Sequence, residues 1–376
     1  MLERLKHMLI KEFIQMLRDP RMRAVIIIIP IVQVILFGYA VTTDVRHIAT
    51  AVLDLDNSVQ SRRIMARFEG SQHFDFVKYL KSEREIRPVL DGGRARAVIR
   101  FDKGFGEDVS SGRTGRIQIL LDGTDANSAG IVLNYASSIT GTFNGKILIK
   151  RVEAATGMVM PASPVELKWR AWFNPNLESR NFYVPGVIAL LVMVITVMLS
   201  SMAIVREKEI GTIEQIMVTP IGRVEFILGK TLPFALIGFI DVMLISVIAV
   251  FWFRIPIEGN PLVLLFSTGL YLMSTLGAGL LISTVSRTQQ QAMMTAFFFM
   301  LPAVLLSGFI YPIANMPVVI QWLTFADPLR YFIVIIRGVF LKGVGMEVLW
   351  HQMVGLLVLG TILLSAASAR FKKTMA

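Results

Sequence analysis

The chain has 376 residues, of which 54% are hydrophobic and only 17% are charged. Its mean hydropathy of +0.61 excludes an ordinary soluble domain and indicates a polytopic membrane protein. The absence of cysteine excludes disulfides and cysteine-ligated metal sites, and the net charge of +11 comes largely from basic residues beside apolar runs, which argues against nucleic acid as a partner.

The N-terminal residues 1–23 carry the pattern of an amphipathic helix at a membrane surface. Leu5, Leu9 and Met16 recur at helical spacing, and basic residues occupy the other faces. The pair Asp19 and Pro20 ends this pattern. Residues 24–43 then form an apolar run without a charge, which is long enough to cross a hydrocarbon core of ~30 Å. This run is the first predicted transmembrane helix.

Residues 44–180 read as a separate α/β domain, because short strand patterns alternate with helical ones. Four acidic residues lie at the ends of predicted strands, namely Asp54, Asp56, Asp122 and Asp125. Carboxylates at strand ends can bind a ligand or a metal. We favour the simpler interpretation that they cap helices and close turns, since no other ligand type lies nearby.

The rest of the chain, residues 181–376, contains five more predicted transmembrane helices, at 181–205, 226–253, 262–285, 292–311 and 350–369. The fourth span carries a run of small residues from Ser274 to Gly279, which favours close helix packing. In region 312–348, the apolar run 329–341 is short for a span, and Arg337 near its centre would cost ~2.5–3.5 kcal/mol in lipid. Two re-entrant helices joined around Asp327 and Pro328 avoid that cost.

The distribution of basic residues sets the orientation. The predicted inner segments hold 14 Lys and Arg, against 4 in the short outer segments. Both termini are therefore expected in the cytoplasm and the α/β domain outside it. The predicted fold is a polytopic α-helical membrane protein with six spans, re-entrant external helices and an extracytoplasmic α/β domain inserted between the first two spans.

No catalytic constellation is evident in the sequence. Gly229, Lys230 and Thr231 resemble the end of a nucleotide-binding P-loop, but its first glycine would fall on Val224. Asp241 is the one acidic residue well inside a span, where a carboxylate suggests function by default. We favour the alternative that it forms a hydrogen bond to a Ser or Thr of a neighbouring helix.

The segment VREKEIGTIEQIMVTPIG, residues 205–222, separates two apolar runs. A charge cluster is followed by a break at Gly211 and by a short amphipathic helix that contains Ile213 and Ile216 and stops at Pro220. A short helix of this kind at a membrane surface suits docking to a soluble partner. We expect the acidic side chains to face the partner and the apolar face to contact the membrane domain.

The chain resembles the permease subunits of ABC type-2 transporters, in the drug- and small-molecule-export branch with a large external domain. The resemblance is carried by the order of helices and domain, by VREKEIGTIEQIMVTP after the second span and by LSGFIYPIANMP after the fifth. It implies that segment 206–220 is a helix that couples to the ATPase through Glu207, Glu209, Gly211, Thr212, Glu214, Gln215, Thr219 and Pro220. It also implies a re-entrant exit region formed by Ser307, Gly308, Phe309, Pro312, Pro317, Asp327, Pro328 and Arg337.

The resemblance further implies an assembly in a bacterial cytoplasmic membrane. Two ATPase subunits would bind ATP and Mg, and this chain would bind no cofactor and be no enzyme by itself. A second permease half, identical or different, would complete the path in contact with membrane lipid, and the size of the external domain suggests a periplasmic adaptor.

The alternative functions are an ion- or proton-coupled secondary transporter that uses Asp241 and a sensor with an external ligand-binding domain. The sequence indicates no substrate.

Overall fold

A computed structural model describes residues 2–18, 20–40, 47–71, 73–124, 126–157, 172–174, 178–212 and 222–370. Contacts divide the chain into two compact units. One unit comprises Met1–Thr42 together with Ala171–Ala376, and the other comprises Thr43–Arg170. The predicted coupling residues Glu214, Gln215, Thr219 and Pro220 lie outside the described residues.

The unit Thr43–Arg170 contains a four-stranded mixed sheet in the order β2-β1-β3-β4. Its strands are β1 (Ile48–Asp54), β2 (Phe74–Tyr79), β3 (Ala97–Phe101) and β4 (Ile117–Leu121). Strand β1 pairs in parallel with β2 and β3, whereas β4 pairs antiparallel with β3. The connecting helices are α4 (Val59–Glu69), α5 (Ile86–Asp91) and α6 (Phe105–Ser110), and α7 (Ala126–Thr156) follows the last strand.

Alternating side chains of the central strands form two small cores on opposite faces of this sheet. Val52 and Ile99 belong to the core that includes Phe68 of α4 and Phe143 of α7. Leu53 and Val98 belong to the core that includes Val89 of α5. The strands are therefore apolar on both faces, as expected for a sheet covered by helices on both sides.

The other unit is helical. Its first part consists of α1 (Leu2–Arg18), α2 (Pro20–Arg23), a π-helical turn (Ala24–Ile28) and α3 (Ile29–Ala40). The second part contains α8 (Ser179–Ala203), α9 (Val205–Ile210), α10 (Arg223–Phe251), α11 (Pro261–Val285) and α12 (Gln289–Leu306). The chain continues through a 3₁₀ turn (Ile313–Asn315), α13 (Val318–Leu323), a second 3₁₀ turn (Thr324–Ala326), α14 (Pro328–Arg337), a π-helical turn (Gly338–Lys342) and α15 (Met346–Arg370).

Within the described residues, five helices are long and apolar enough to cross a membrane, namely Ser179–Ile210, Glu225–Phe251, Pro261–Val285, Gln289–Leu306 and Met346–Arg370. They coincide with the predicted second to sixth spans. The predicted first span corresponds to a shorter apolar helix, Ile26–Ala40. Helices Val318–Ala326 and Pro328–Lys342 form a pair bent by 85°, which is the geometry of a broken span or a re-entrant loop. The bend lies at Asp327, where the sequence predicts the two helices to be joined.

Helix α8 is the centre of this unit, because it contacts α3, α10, α11, α12 and α14. Close approach to α11 depends on small residues. A side chain at Gly279 would meet the Val197 carbonyl oxygen at 2.8 Å, and one at Gly277 would meet Leu363 Cβ of α15 at 3.0 Å. The hydroxyl of Tyr271 on α11 donates to the Ala189 carbonyl of α8 at 2.9 Å. The close packing predicted for the small-residue run is confirmed.

Replacing Gly279 by alanine should force α8 and α11 apart, because the new methyl group meets both the Ser200 side chain and the Val197 carbonyl oxygen of α8. We expect a loss of about 1–3 kcal/mol, typical of overpacking, seen as a lower apparent unfolding temperature of the detergent-solubilised protein. Gly269→Ala on the same helix is the control, since the nearest atom there is the ring edge of Phe239 at 3.3 Å. Equal unfolding temperatures for the two variants would contradict this packing.

Candidate functional site

The first half of the predicted coupling segment is a short helix that ends at a glycine. Helix α9 continues from α8 and stops at Gly211, which adopts φ = 82° and donates its N–H to the Lys208 carbonyl. Only glycine adopts this left-handed conformation without strain. The hydroxyl of Thr212, the next residue, donates to the carboxylate of Glu207.

A cluster of buried charges lies beside α9. The Lys230 ammonium is 2.7 Å from Glu12 Oε1 and 2.6 Å from Glu207 Oε1. All three side chains are no more than 7% exposed. Lys11 Nζ approaches Glu207 Oε1 at 3.5 Å from the solvent side, with 53% of its side chain exposed. We call Glu12, Glu207 and Lys230 the ion-pair cluster. It joins α1, α9 and α10.

The packing of α1 onto α10 brings Glu12 to this position. Met8 is buried, and it contacts Gly229, where a side chain would meet Met8 Cγ at 2.9 Å. Glu12 follows Met8 by four residues, so both lie on the same face of α1. Lys230 follows Gly229 directly, and the close approach that this glycine permits places the ammonium beside the Glu12 carboxylate.

This geometry corrects the predicted orientation of Glu207. We expected its carboxylate to face a soluble partner, yet Glu207 is 5% exposed and forms ion pairs within the chain. A buried carboxylate requires a charged partner because desolvation otherwise costs several kcal/mol. In the sequence, Lys230 stands out only as part of an incomplete P-loop, and Glu12 does not stand out at all. An acidic residue one turn after Met8, with a lysine at the start of a span, is the signal that could have indicated the pair.

Further hydrogen bonds connect α9 to the last turn of α11 and to the first residue of α12. Ser283 Oγ accepts from the backbone N–H groups of Ile204 and Val205 at 3.0 and 3.1 Å. The exposed Glu209 accepts from the Gln289 N–H at 2.9 Å and also from the Gln289 side chain. Helix α9 is therefore bonded to four other helices, which are α1, α10, α11 and α12.

The predicted exit region converges on the start of α8. The Arg337 guanidinium stacks over the Phe182 ring at 3.7 Å, and its Nε donates to the Phe182 carbonyl at 3.2 Å. Phe309 is 8% exposed and lies against Gly186, where a side chain would meet the Phe309 ring at 2.6 Å. Arg337 is thus held by protein groups, as expected for a charge in a re-entrant element.

The remaining residues of that region shape the backbone. Gly308 has φ = 80°, and the Phe309 N–H donates to Ser307 Oγ at 3.1 Å. Pro312 and Pro317 precede the first 3₁₀ turn and α13. Asp327 Oδ1 caps α14 by accepting from the Leu329 N–H at 2.9 Å, and Pro328 is the first residue of that helix. The second Asp327 oxygen is buried and has no hydrogen-bond partner among the residues that the structure describes.

Asp241 does not form the hydrogen bond that we favoured from the sequence. Its side chain is fully buried in α10, and neither carboxylate oxygen has a hydrogen-bond partner among the described residues. The prediction of a Ser or Thr partner is therefore wrong. Burial without a partner is costly, so the residue retains its interest as a polar group inside the helical unit.

The acidic residues at the strand ends have structural roles wherever the structure describes them. Asp54 accepts from the N–H groups of Asp56 and Asn57, and Asp122 accepts from Thr124. Asp56 accepts from the N–H groups of Gly104 and Gly106 at 2.8 Å each. Burial opposes ionisation of Asp56, but hydrogen bonds from the Ser58 side chain and these backbone groups lower its pKa overall.

The interpretation as turn and cap residues is confirmed for those three, whereas Asp125 lies outside the described residues. The described ranges contain no group of three or more His, Cys, Asp or Glu side chains that could hold a metal ion.

The residues that form these helices and the inserted sheet match a known family. A model of the family described as "ABC-2 family transporter protein" matches residues 20–370. The chain belongs to the ABC-2 transporter family. Its membership implies an ABC ATPase partner and a dimeric arrangement of permeases.

Several ABC transporter permeases are similar to this chain over most of its length. The chain is 35% identical over 373 residues to the probable multidrug ABC transporter permease YbhR of Escherichia coli K12, covering 99% of each chain. It is 32% identical to the probable multidrug ABC transporter permease YbhS of the same strain, over 90% of this chain and 89% of YbhS. It is also 27% identical to the inner membrane transport permease YhhJ of that strain, over 97% and 96% of the two chains.

Removing the cation from the ion-pair cluster should destabilise this ABC-2 permease. Lys230→Met leaves the carboxylates of Glu12 and Glu207 buried together, and we expect a loss of about 3–5 kcal/mol. Lys11→Met is the control, since an exposed ion pair contributes less than ~1 kcal/mol. The measurement is the apparent unfolding temperature in lipid nanodiscs.

A triple variant separates charge from packing. If Glu12→Gln and Glu207→Gln are added to Lys230→Met, no buried charge remains unpaired, and most of the lost stability should return. An unfolding temperature as low as that of Lys230→Met alone would show that the loss came from packing.

Proposed function

We propose that this chain is the membrane-spanning permease of an ABC exporter, which moves a substrate out across the cytoplasmic membrane with ATP hydrolysed by a separate ATPase subunit. The family match over residues 20–370 carries this proposal. The environment of Lys230 supports it, because an ammonium paired with two carboxylates is not available to bind nucleotide phosphates. ATP and Mg would therefore be bound by two copies of the partner ATPase.

The bonds around α9 suggest how the energy enters. Segment 206–220 would dock on the ATPase and move when ATP binds and is hydrolysed. The ion-pair cluster ties α9 to α1 and α10, while Ser283 and Gln289 tie it to α11 and α12. Because breaking a buried ion pair costs several kcal/mol, these helices would move together rather than separate from α9.

The assembly would contain two permease halves, identical or different, with the translocation path between them. Exposed apolar side chains recur along α10 and α12, including Leu236, Met243, Phe297 and Leu301. Such faces suit membrane lipid or the second permease. The relatives named as probable multidrug permeases favour drugs as the substrate class. The helix pair that bends at Asp327, together with Arg337, would form the re-entrant exit of the path.

The expected orientation places both termini in the cytoplasm of a bacterial cell and the α/β unit outside it. This proposal rests on the excess of basic residues in the predicted inner segments. A periplasmic adaptor protein would then be the partner of the α/β unit.

Glu214→Lys should weaken binding of the cognate ATPase, because it reverses a charge in the proposed docking helix. We expect co-purification of the ATPase to fall at least about tenfold, with no change in the unfolding temperature of the permease. Glu69→Lys, at an exposed site on the α/β unit, is the control. Full ATPase binding by Glu214→Lys would refute the docking role of this segment.

Cysteine labelling tests the orientation cleanly, since the chain has no cysteine of its own. Arg84→Cys on the α/β unit should react with a membrane-impermeant maleimide in intact spheroplasts. Gln290→Cys, in the first turn of α12, should react only after permeabilisation. Both positions are exposed, so access to the reagent decides the outcome. The reverse pattern of labelling would invert the proposed topology.

A further inference from the structure

The α/β unit contains a cavity of about 450 Å³ between α4, α6, β4 and α7. Its walls are mainly apolar and include Ile64, Phe105, Ile117, Phe143 and Ile147. The strand that lines it, β4, is at the edge of the sheet, and α7 contributes a glycine, Gly145, to the lining. Its volume lies within the range of ~300–1,000 Å³ that is usual for small-molecule sites.

One cation beside this cavity lacks an acidic partner. Arg151 of α7 is half-buried, and its guanidinium donates to the Val109 carbonyl, which fixes its position. No carboxylate pairs with Arg151 in the described part of the chain. Its remaining N–H groups are therefore available to an anion.

The other arginine of the lining is already neutralised. Arg113 Nε is 2.7 Å from Asp108 Oδ1, and its Nη2 is 3.3 Å from Glu107 Oε1. The hydrogen bond and charge of Asp108 raise the pKa of Arg113 further above its ordinary value. None of the described residues that line the cavity is acidic, so the unbalanced charge among them is the positive charge of Arg151.

We propose that this cavity binds a small amphipathic anion. The apolar body of the ligand would fill the space between α7 and β4, and its carboxylate or sulfonate would accept hydrogen bonds from Arg151. The side chains of Thr140 and Asn144, which also line the cavity, would provide further polar contacts. This assignment gives the α/β unit a binding function that does not depend on the proposed role of the chain in transport.

Gly145 offers a way to close the cavity without disturbing the fold. A Cβ atom there would meet no atom within 4 Å, so Gly145→Leu has room for its first side-chain carbon, and we expect the leucine to fill part of the cavity. Leucine also favours the helical conformation over glycine. Gly130→Leu is the matched control, since Gly130 is an α7 glycine with the same free space that does not line the cavity.

Photolabelling of the full-length protein with 4-benzoylbenzoate, an aromatic carboxylate, tests the proposal. Mass spectrometry should find saturable adducts within residues 105–119 and 140–151, and Gly145→Leu should abolish them while Gly130→Leu retains them. Arg151→Gln should weaken labelling on the order of tenfold, because a hydrogen bond to a charged group is lost. Arg151→Lys should retain part of it.

The neutral probe 4-benzoylbenzamide tests the chemical class of the ligand. It should label these residues on the order of tenfold less than the carboxylate does, for the same reason. Equal labelling by the two probes would overturn the anion assignment. The absence of adducts in the wild-type residues, or their persistence in a folded Gly145→Leu variant, would overturn the site.

Discussion

Lys230 lies between the buried carboxylates of Glu12 and Glu207, and the arrangement of the surrounding helices depends on this contact. The two bonds connect residues that are 218 and 23 positions apart in the chain. Neither carboxylate could remain charged at its position without the ammonium, and the ammonium could not remain charged without them. The contact therefore fixes the N-terminal helix α1 against α10. It also sets the position of α9, which forms the first part of segment 206–220.

This constraint gives the permease a mechanical connection between α9 and the long apolar helices. Helix α9 is short, but it is bonded on one side to the ion-pair cluster and on the other to Ser283 and Gln289. The central helix α8 continues directly into it and packs against most other helices of the unit. At the far end of α8, Phe182 and Gly186 contact Arg337 and Phe309. A displacement of α9 would thus reach both the spans and the bent helix pair.

Most secondary structure could be predicted from the sequence, because long apolar runs and alternating strands leave few alternatives. The bend at Asp327 was predictable for a similar reason, since Arg337 has a high cost in lipid and proline begins the next helix. The predicted first span was less accurate, as the apolar helix that the structure describes there is the shorter Ile26–Ala40.

The errors concern contacts between residues far apart in the chain. Glu207 looked like a surface acid because its partners Lys230 and Glu12 are not its sequence neighbours. Asp241 is predicted to bond to a Ser or Thr of a neighbouring helix, yet neither of its carboxylate oxygens has a hydrogen-bond partner in the described part of the chain. Helical spacing indicates which residues share a face, but the rotation of one helix against another decides which side chains meet.

The most direct test of this account is the energy source for transport by the reconstituted protein. Proteoliposomes that contain the permease and its cognate ATPase should move a fluorescent lipophilic drug only when ATP is supplied. Collapse of the proton gradient should leave that movement unchanged, and the permease alone should show none. Movement driven by a proton gradient without the ATPase, and lost in Asp241→Asn, would contradict the account.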